Sequence, residues 1–354
     1  MKKMLAFFLC ALAAFEPVCG CTTFLIHKNG KYAFGRNYDW ITDVGMVCTN
    51  LRGLAKTSAQ INSQPTVSWV SKYGSITFNQ YGKEFPTGGM NERGLVVEMM
   101  WLDGSKYPER DSRAELGVLQ WIQYQLDNCS TIEEVIAANS KIRISKTHPP
   151  VHYLVADLSG RAATIEFLDG NTVVHTGTNL SIPVLTNTDY ATSARMYKKS
   201  INSKDTNVAF NDNSLQRFAT ACSMVQQYNA GGSNSSLVNY SFDVLKKVSN
   251  DDFTKWSIVY DMSVKKVYFK SKGSPQVKWI SYADVDFSCN STSLAFDMNL
   301  NIQGNGARQF KPLTKETSTI LLNRAAAESR SQINIGEADI RRDVEYASRI
   351  KCHL

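Results

Sequence analysis

The sequence lacks the spacings from which a metal site is usually recognised. It has no Cys-x-x-Cys pair and no Cys/His spacing of a zinc site. Its five histidines, His27, His148, His152, His175 and His353, are scattered. Structural roles are expected for most of them, and neither a metal nor a cofactor. Beyond residue 20 there is no apolar run long enough to span a bilayer, so no transmembrane segment is expected after that point. The 39 cationic and 32 anionic side chains leave a formal net charge of +7. They are interspersed rather than blocked, which reads as a solvated surface and not as a nucleic-acid-binding face. There is no internal repeat and no low-complexity linker.

What the sequence does contain begins with a leader. Lys2 and Lys3 precede an apolar stretch from Met4 to Phe15, too short for a transmembrane helix, and Val18-Cys19-Gly20 supplies small residues before a break. Residues 1–20 are therefore expected to be a signal peptide, and the protein to be secreted or periplasmic. Cleavage after Gly20 would make Cys21 the first residue. Six of the eight cysteines follow the leader: Cys21, Cys48, Cys129, Cys222, Cys289 and Cys352. With Cys21 set aside for chemistry, five remain and cannot all pair internally. An oxidising compartment permits a bridge, but its partners stay open.

An N-terminal cysteine carries a nucleophile and a base on one carbon. A free thiol near pKa 8.5 is mostly protonated at neutrality. An α-amine near 7.7 is poised to take its proton, directly or through one water. Around Cys21 the pattern is a hairpin. Phe24 and Ile26 lie in one β-prone run and Tyr32 and Phe34 in another, with Lys28-Asn29-Gly30-Lys31 between them. The hairpin places Arg36 and Asp39 beside Cys21, where Arg36 would favour thiolate and Asp39 would hold the ammonium. An oxyanion needs donors. Asn91, in what reads as a glycine-rich turn from Thr87 to Gly94, and Asn187, after Ile182 to Thr186, are the candidates. Trp101, Tyr81 and Phe85 are aromatic side chains able to line an apolar acyl pocket.

Further along, Ala114 to Leu126 has helical spacing of apolar residues. Ser130 to Glu133 has capping-box form. Val151 to Asp157, Ala163 to Leu168 and Thr172 to His175 read as strands, Ser214 to Tyr228 and Phe242 to Val248 as helices. Trp256 to Tyr260 and Lys266 to Phe269 read as a hairpin, and the tail after Leu313 as helical. Strands, helices, strands and helices in a chain of this size imply two packed sheets.

Several of these stretches together resemble the choloylglycine hydrolase and penicillin V acylase family, linear-amide hydrolases of the N-terminal-nucleophile superfamily. They are Cys21-Thr22, Phe34-Gly35-Arg36-Asn37-Tyr38-Asp39-Trp40, Met90-Asn91-Glu92-Arg93-Gly94-Leu95, His152 to Asp157 with Ser159-Gly160, Val184 to Asn187, and Ser214-Leu215-Gln216-Arg217-Phe218. Apart from the helical tail over 313–354, which is not part of the family pattern, the resemblance implies an α+β fold, a four-layer αββα sandwich, which is placed at residues 21–312. It implies Cys21 as nucleophile, Arg36 beside the thiol, Asp39 on the amine, Asn91 and Asn187 around the oxyanion, and Arg217 as a buried supporting charge. The substrate would be a small-molecule amide, N-acyl, bile-salt-like or penicillin-V-like. A homo-oligomer is open, although the interval from Asn187 to Arg217 is short for the assembly loop of tetrameric bile-salt hydrolases. Two other readings are carried forward. Val18-Cys19-Gly20-Cys21 loosely resembles a lipobox, which would make the chain a lipid-anchored binding protein. A Cys–His dyad would instead use Cys129 or Cys222 with His152 or His175.

Overall fold

The computed structural model describes residues 20–59, 65–145, 149–202, 212–250 and 252–353. The leader up to Cys19, and His148, lie outside the described residues. Strand β1 (Thr22–Lys28) begins immediately after Cys21, and β2 (Lys31–Asp39) returns beside it. The two-residue turn has both Asn29 and Gly30 at positive φ, 52° and 72°. That is the geometry for which Asn-Gly is suited, because it matches the twist of the flanking strands. The register pairs Lys28 with Lys31 and Thr22 with Asn37.

The hairpin lies inside a seven-stranded sheet, with Val184–Leu185 against β1 and Thr254–Asp261 against β2. A nine-stranded sheet faces it, with Pro86–Asn91, Val96–Trp101 and Val151–Ala156 near its middle. Aromatic rings fill the space between the sheets. Tyr260 meets Phe34 and Phe78 edge-on at 6.2 and 6.1 Å, the offset geometry such rings prefer.

Seven α-helices occur among the described residues: α1 (Val118–Asn128), α2 (Ile132–Ala138), α3 (Tyr190–Asn202), α4 (Asn213–Asn229), α5 (Leu237–Lys247), α6 (Lys315–Ser329) and α7 (Glu337–Arg349). Helices α4 and α5 cover the outer face of the first sheet. The apolar side of α1, Trp121, Ile122 and Leu126, packs with Leu95, Val97, Tyr153 and Val155 on the outer face of the second. The result is a four-layer αββα sandwich. No helix among the described residues is long and apolar enough to cross a membrane.

Three local expectations shift. Ala114–Leu116 is not the first turn of a helix but a short strand, paired in parallel with Ile142–Ile144, and the helix starts only after Gly117. The cap of α2 is Thr131 with Glu134, one residue later than the Ser130–Glu133 reading. The stretch from Thr87 is not a loop: Pro86–Asn91 is a buried strand, and only the residues after Asn91 turn.

The tail docks on the sandwich. Leu322, Ala326, Ile340 and Val344 bury against Met46, Cys48 and Ala295. Each of the larger side chains contributes roughly 1.5–3 kcal/mol of burial. A disulfide between Cys289 and Cys352, Cα atoms 5.6 Å apart, ties its end down.

Candidate active site

A strand turns successive side chains to opposite faces. Arg36 and Asp39, an odd number of positions apart on β2, therefore leave it on opposite sides. Arg36 enters the space between the sheets, where it donates to the carbonyls of Thr87 and Met99, both at 2.9 Å, and pairs with Glu98. Asp39 faces the helix layer with Arg217 of α4. Between them stands Cys21, only 4 % exposed, its thiol 3.8 Å from the Asp39 carbonyl oxygen.

Arg217 joins the pieces. It donates to the Cys21 carbonyl at 2.5 Å, to the Thr22 hydroxyl at 2.9 Å and to Asn187 Oδ1 at 2.9 Å, and its Nε is held by Asn213 at 2.7 Å. One guanidinium thus fixes the start of β1 and the amide of Asn187 together. Asn187 donates one N–H to the Trp101 carbonyl at 2.8 Å. Its Nδ2 carries a second N–H, which a developing oxyanion could use.

Gly20 sits against the same groups. A Cβ there would meet Arg217 Nη2 at 3.0 Å and Asp39 Oδ2 at 3.2 Å, so the residue before Cys21 has room for little more than a hydrogen. Burial pushes the Asp39 carboxyl up to about 7, against the opposing pull of the Thr254 hydroxyl, Arg217 and Arg36. Burial also pushes the Cys21 thiol up. Arg36 does lower it, as its position in the hairpin suggests, but desolvation outweighs that pull. To act as a nucleophile the thiol would need a base, because the guanidinium alone does not supply the thiolate. Burial likewise opposes charge on Arg36, but Glu98, together with Cys21, Tyr38 and Tyr260, outweighs it and holds the guanidinium above its ordinary value. The Tyr260 hydroxyl donates to the other Glu98 oxygen at 2.5 Å. A Cβ on Gly88 would lie 1.8 Å from the Glu98 carboxylate; that glycine makes space for the ion pair, not for a ligand.

Asn91 does not belong to this constellation. Its two amide hydrogens go to the carbonyls of Leu126 and Cys129, at 2.9 and 2.7 Å, and its oxygen accepts from the N–H groups of Arg93 and Leu95. Val96–Trp101 runs antiparallel to its strand, so Asn91 lies at the Leu95 end, on the order of 20 Å along the sheet from Trp101. It locks the end of α1 to the sheet. His152 reads in the sequence as a structural residue or a dyad partner, not as a neighbour of Asn187. Its Nε2 lies 2.7 Å from the Thr186 carbonyl and its Nδ1 3.0 Å from Glu166, so it braces the chain next to Asn187. The signal was present in its strand position, but periodicity does not tell a bracing histidine from a core one. Cys129 and Cys222 form no dyad: His152 is bonded to Glu166 and the Thr186 carbonyl and His175 to Thr164 and Glu166, while the Cys129 thiol meets Gln125 and burial pushes both thiols up. Among the described residues no cluster of His, Cys, Asp or Glu is placed to hold a metal ion.

Cys21 opens into a cavity of about 640 Å³. Tyr38, Trp40, Tyr81, Phe85, Met99 and Trp101 line its apolar side. Tyr81, Phe85 and Trp101, the three aromatic candidates from the sequence, are all there. A buried thiol at a core-strand terminus, flanked by Arg36 and Asp39 and open to an apolar chamber, is an arrangement suited to acyl transfer.

The family model of linear amide C–N hydrolases, choloylglycine hydrolase family, matches residues 21–295. The chain belongs to this family. The match begins at Cys21. As a member of the choloylglycine hydrolase family, the protein is a hydrolase of linear amide C–N bonds. It is 25 % identical to a penicillin V acylase from Pectobacterium atrosepticum, covering 85 % of this chain and 92 % of that protein. Among solved structures it is similar to a penicillin V acylase from Agrobacterium tumefaciens, with a TM-score of 0.71 and 26 % identity over 84 % of this chain and 98 % of that one. A conjugated bile acid hydrolase from Clostridium perfringens shares the fold, with a TM-score of 0.65 at 16 % identity over 80 % of this chain and 98 % of that one.

Proposed function

We propose that this protein is an exported cysteine hydrolase whose nucleophile is created when the leader is removed between Gly20 and Cys21, and that it cleaves a non-peptide amide bearing an apolar acyl group. The observation that carries this reading is the setting of the Gly20–Cys21 junction. It lies against Asp39 and Arg217, with the thiol at the wall of the apolar cavity.

The freed α-amine of Cys21 accepts the thiol proton. The sulfur attacks the amide carbon, the C–N bond breaks, and the ammonium returns its proton to the departing amine. This leaves a thioester on Cys21. Water, deprotonated by the same amine, attacks the thioester carbon and releases the carboxylic acid and the thiol. Asp39 holds the ammonium while it carries the proton, and Asn187 supplies an N–H to the oxyanion. Arg217 acts through both, as a positioning residue. Because the thiol is raised by burial, a base fixed on the same carbon is a better match to the site than an ionic partner alone. The lipid-anchored alternative fits less well. Cys21 is buried and leads directly into a core strand, so a lipid on that sulfur would point into the protein.

The test is a chain in which residues 1–20 are replaced by a non-removable Gly-Ser. It keeps the thiol but turns the amine into an amide. The expected result is a folded and nearly inactive protein beside an active one beginning at Cys21, assayed on penicillin V, conjugated bile salts and N-acyl amines. Equal rates would overturn the mechanism. A mature Cys21 heavier by a diacylglycerol and a fatty acid would overturn the assignment.

A further inference from the structure

The cavity has a wall that the family match does not account for. That match ends at residue 295, yet Ile333, Asn334, Ile335, Asp339, Arg342 and Asp343 all line the same space as Cys21. They belong to the link between α6 and α7 and to the first turns of α7.

The segment also holds the side chains opposite. The Ser329 hydroxyl is buried, 2.8 Å from the Tyr81 hydroxyl and 3.4 Å from Trp40 Nε1, and Trp40 itself donates to Tyr81 at 2.7 Å. On α7, the Tyr346 ring lies 5.5 Å from that of Phe85, and its hydroxyl accepts from Gln120 at 2.8 Å. Three aromatic lining residues of the sandwich are therefore braced from the tail. At the more open end, where Arg342 and Asp339 are half-exposed, Arg342 is bonded to Asp339 at 2.7 Å and to Asp343 at 3.1 Å. The charges there largely answer one another. Ile333 and Ile335 are left as the apolar surface the tail offers.

We infer that the segment from Thr314 to Cys352 sets the acyl selectivity of this enzyme, with Ile333 and Ile335 as the end wall of the acyl chamber and Ser329 and Tyr346 as positioning residues for its aromatic side. The inference rests on the reading that this cavity receives the acyl group. The ligand class is an uncharged, wholly apolar chain or aryl group joined to a single carbonyl. Each methylene that fits should tighten binding roughly four-fold. The gain should stop where the chain meets Ile333 and Ile335.

The experiment uses the full mature protein and reads binding rather than turnover, through quenching of Trp40 and Trp101 fluorescence by straight-chain alkanoic acids of increasing length. Wild type should show a length beyond which added carbons no longer tighten binding. Ile333→Ala with Ile335→Ala should move that limit to longer chains, and Ile335→Trp, which fills instead of hollowing, should move it to shorter ones. Ser329→Ala should weaken all lengths several-fold without moving the limit. The same limit in wild type and both isoleucine variants would overturn the proposal, as would no binding at any length. A series in Cys21→Ala protein separates the two readings. Unchanged binding with lost hydrolysis supports both. A shifting limit beside retained hydrolysis would keep the wall and reject the nucleophile.

Discussion

At the scale of single residues, the site asks different things of two asparagines that look alike in sequence. Asn187→Ala should lower kcat by roughly 100- to 1,000-fold with little change in KM, since in the proposed mechanism it removes a donor used only when the oxyanion forms; steady-state kinetics at saturating substrate reads this. Asn91→Ala should do the reverse. It leaves two buried carbonyls and the buried Leu95 N–H without partners, each costing roughly 1–3 kcal/mol. Its melting temperature should fall sharply while the folded fraction keeps its kcat. Both residues sit beside glycines or at strand ends, where asparagine is a common turn former, and nothing in the local pattern separates a donor from a brace. Asp39 supplies a pH signature. In a chain that retains Gly20 its folded pKa, about 7, lies above the ordinary carboxylate value of 3.8. The native state then holds the proton longer than the unfolded chain. Its contribution is complete below about pH 4 and is lost as pH rises to 7, by at most about 1.4 kcal/mol per pH unit. Beginning the chain at Cys21 sets an ammonium against that carboxylate and should flatten the loss. Urea melts of both forms across this range decide it, and identical slopes would remove the ammonium from Asp39.

At the scale of elements, the β1–β2 hairpin was the most legible part of the chain. Asn29-Gly30 fixes the turn, the turn fixes the register, and the register brings Arg36 and Asp39 to the end that carries Cys21. The start of α1 was not legible. Ala114 and Leu116 fit a helical stripe, but a parallel partner at Ile142–Ile144 claims their backbone. That partner is distant in sequence and leaves no local trace. The Cys289–Cys352 bridge was equally hidden, since five cysteines admit many pairings. Its separation of 63 residues corresponds to about 4 kcal/mol of chain-entropy stabilisation. Cys352→Ser should therefore loosen the end of the tail first. The expected outcome is faster amide exchange in α7 than in the sandwich strands, followed by hydrogen-exchange mass spectrometry.

At the scale of the molecule, two packed sheets followed from the alternating strand and helix patterns, while the αββα order of layers came from the family resemblance. The tail was visible as helix but not as part of the cavity. Contacts such as Ser329 with Tyr81 span most of the chain, and periodicity carries no information at that range. Gly20, finally, has a consequence for how this protein is counted. If the leader is removed as proposed, a glycine that fits between Arg217 and Asp39 should let the uncleaved precursor adopt the same packed sandwich, melt cooperatively and elute as a native protein. By every bulk test of integrity such material should pass, yet it would lack the amine on which the proposed chemistry turns. Specific activity would then tally liberated chain ends rather than well-folded molecules, and two preparations of equal purity could differ in rate by nothing but the fraction that begins at cysteine.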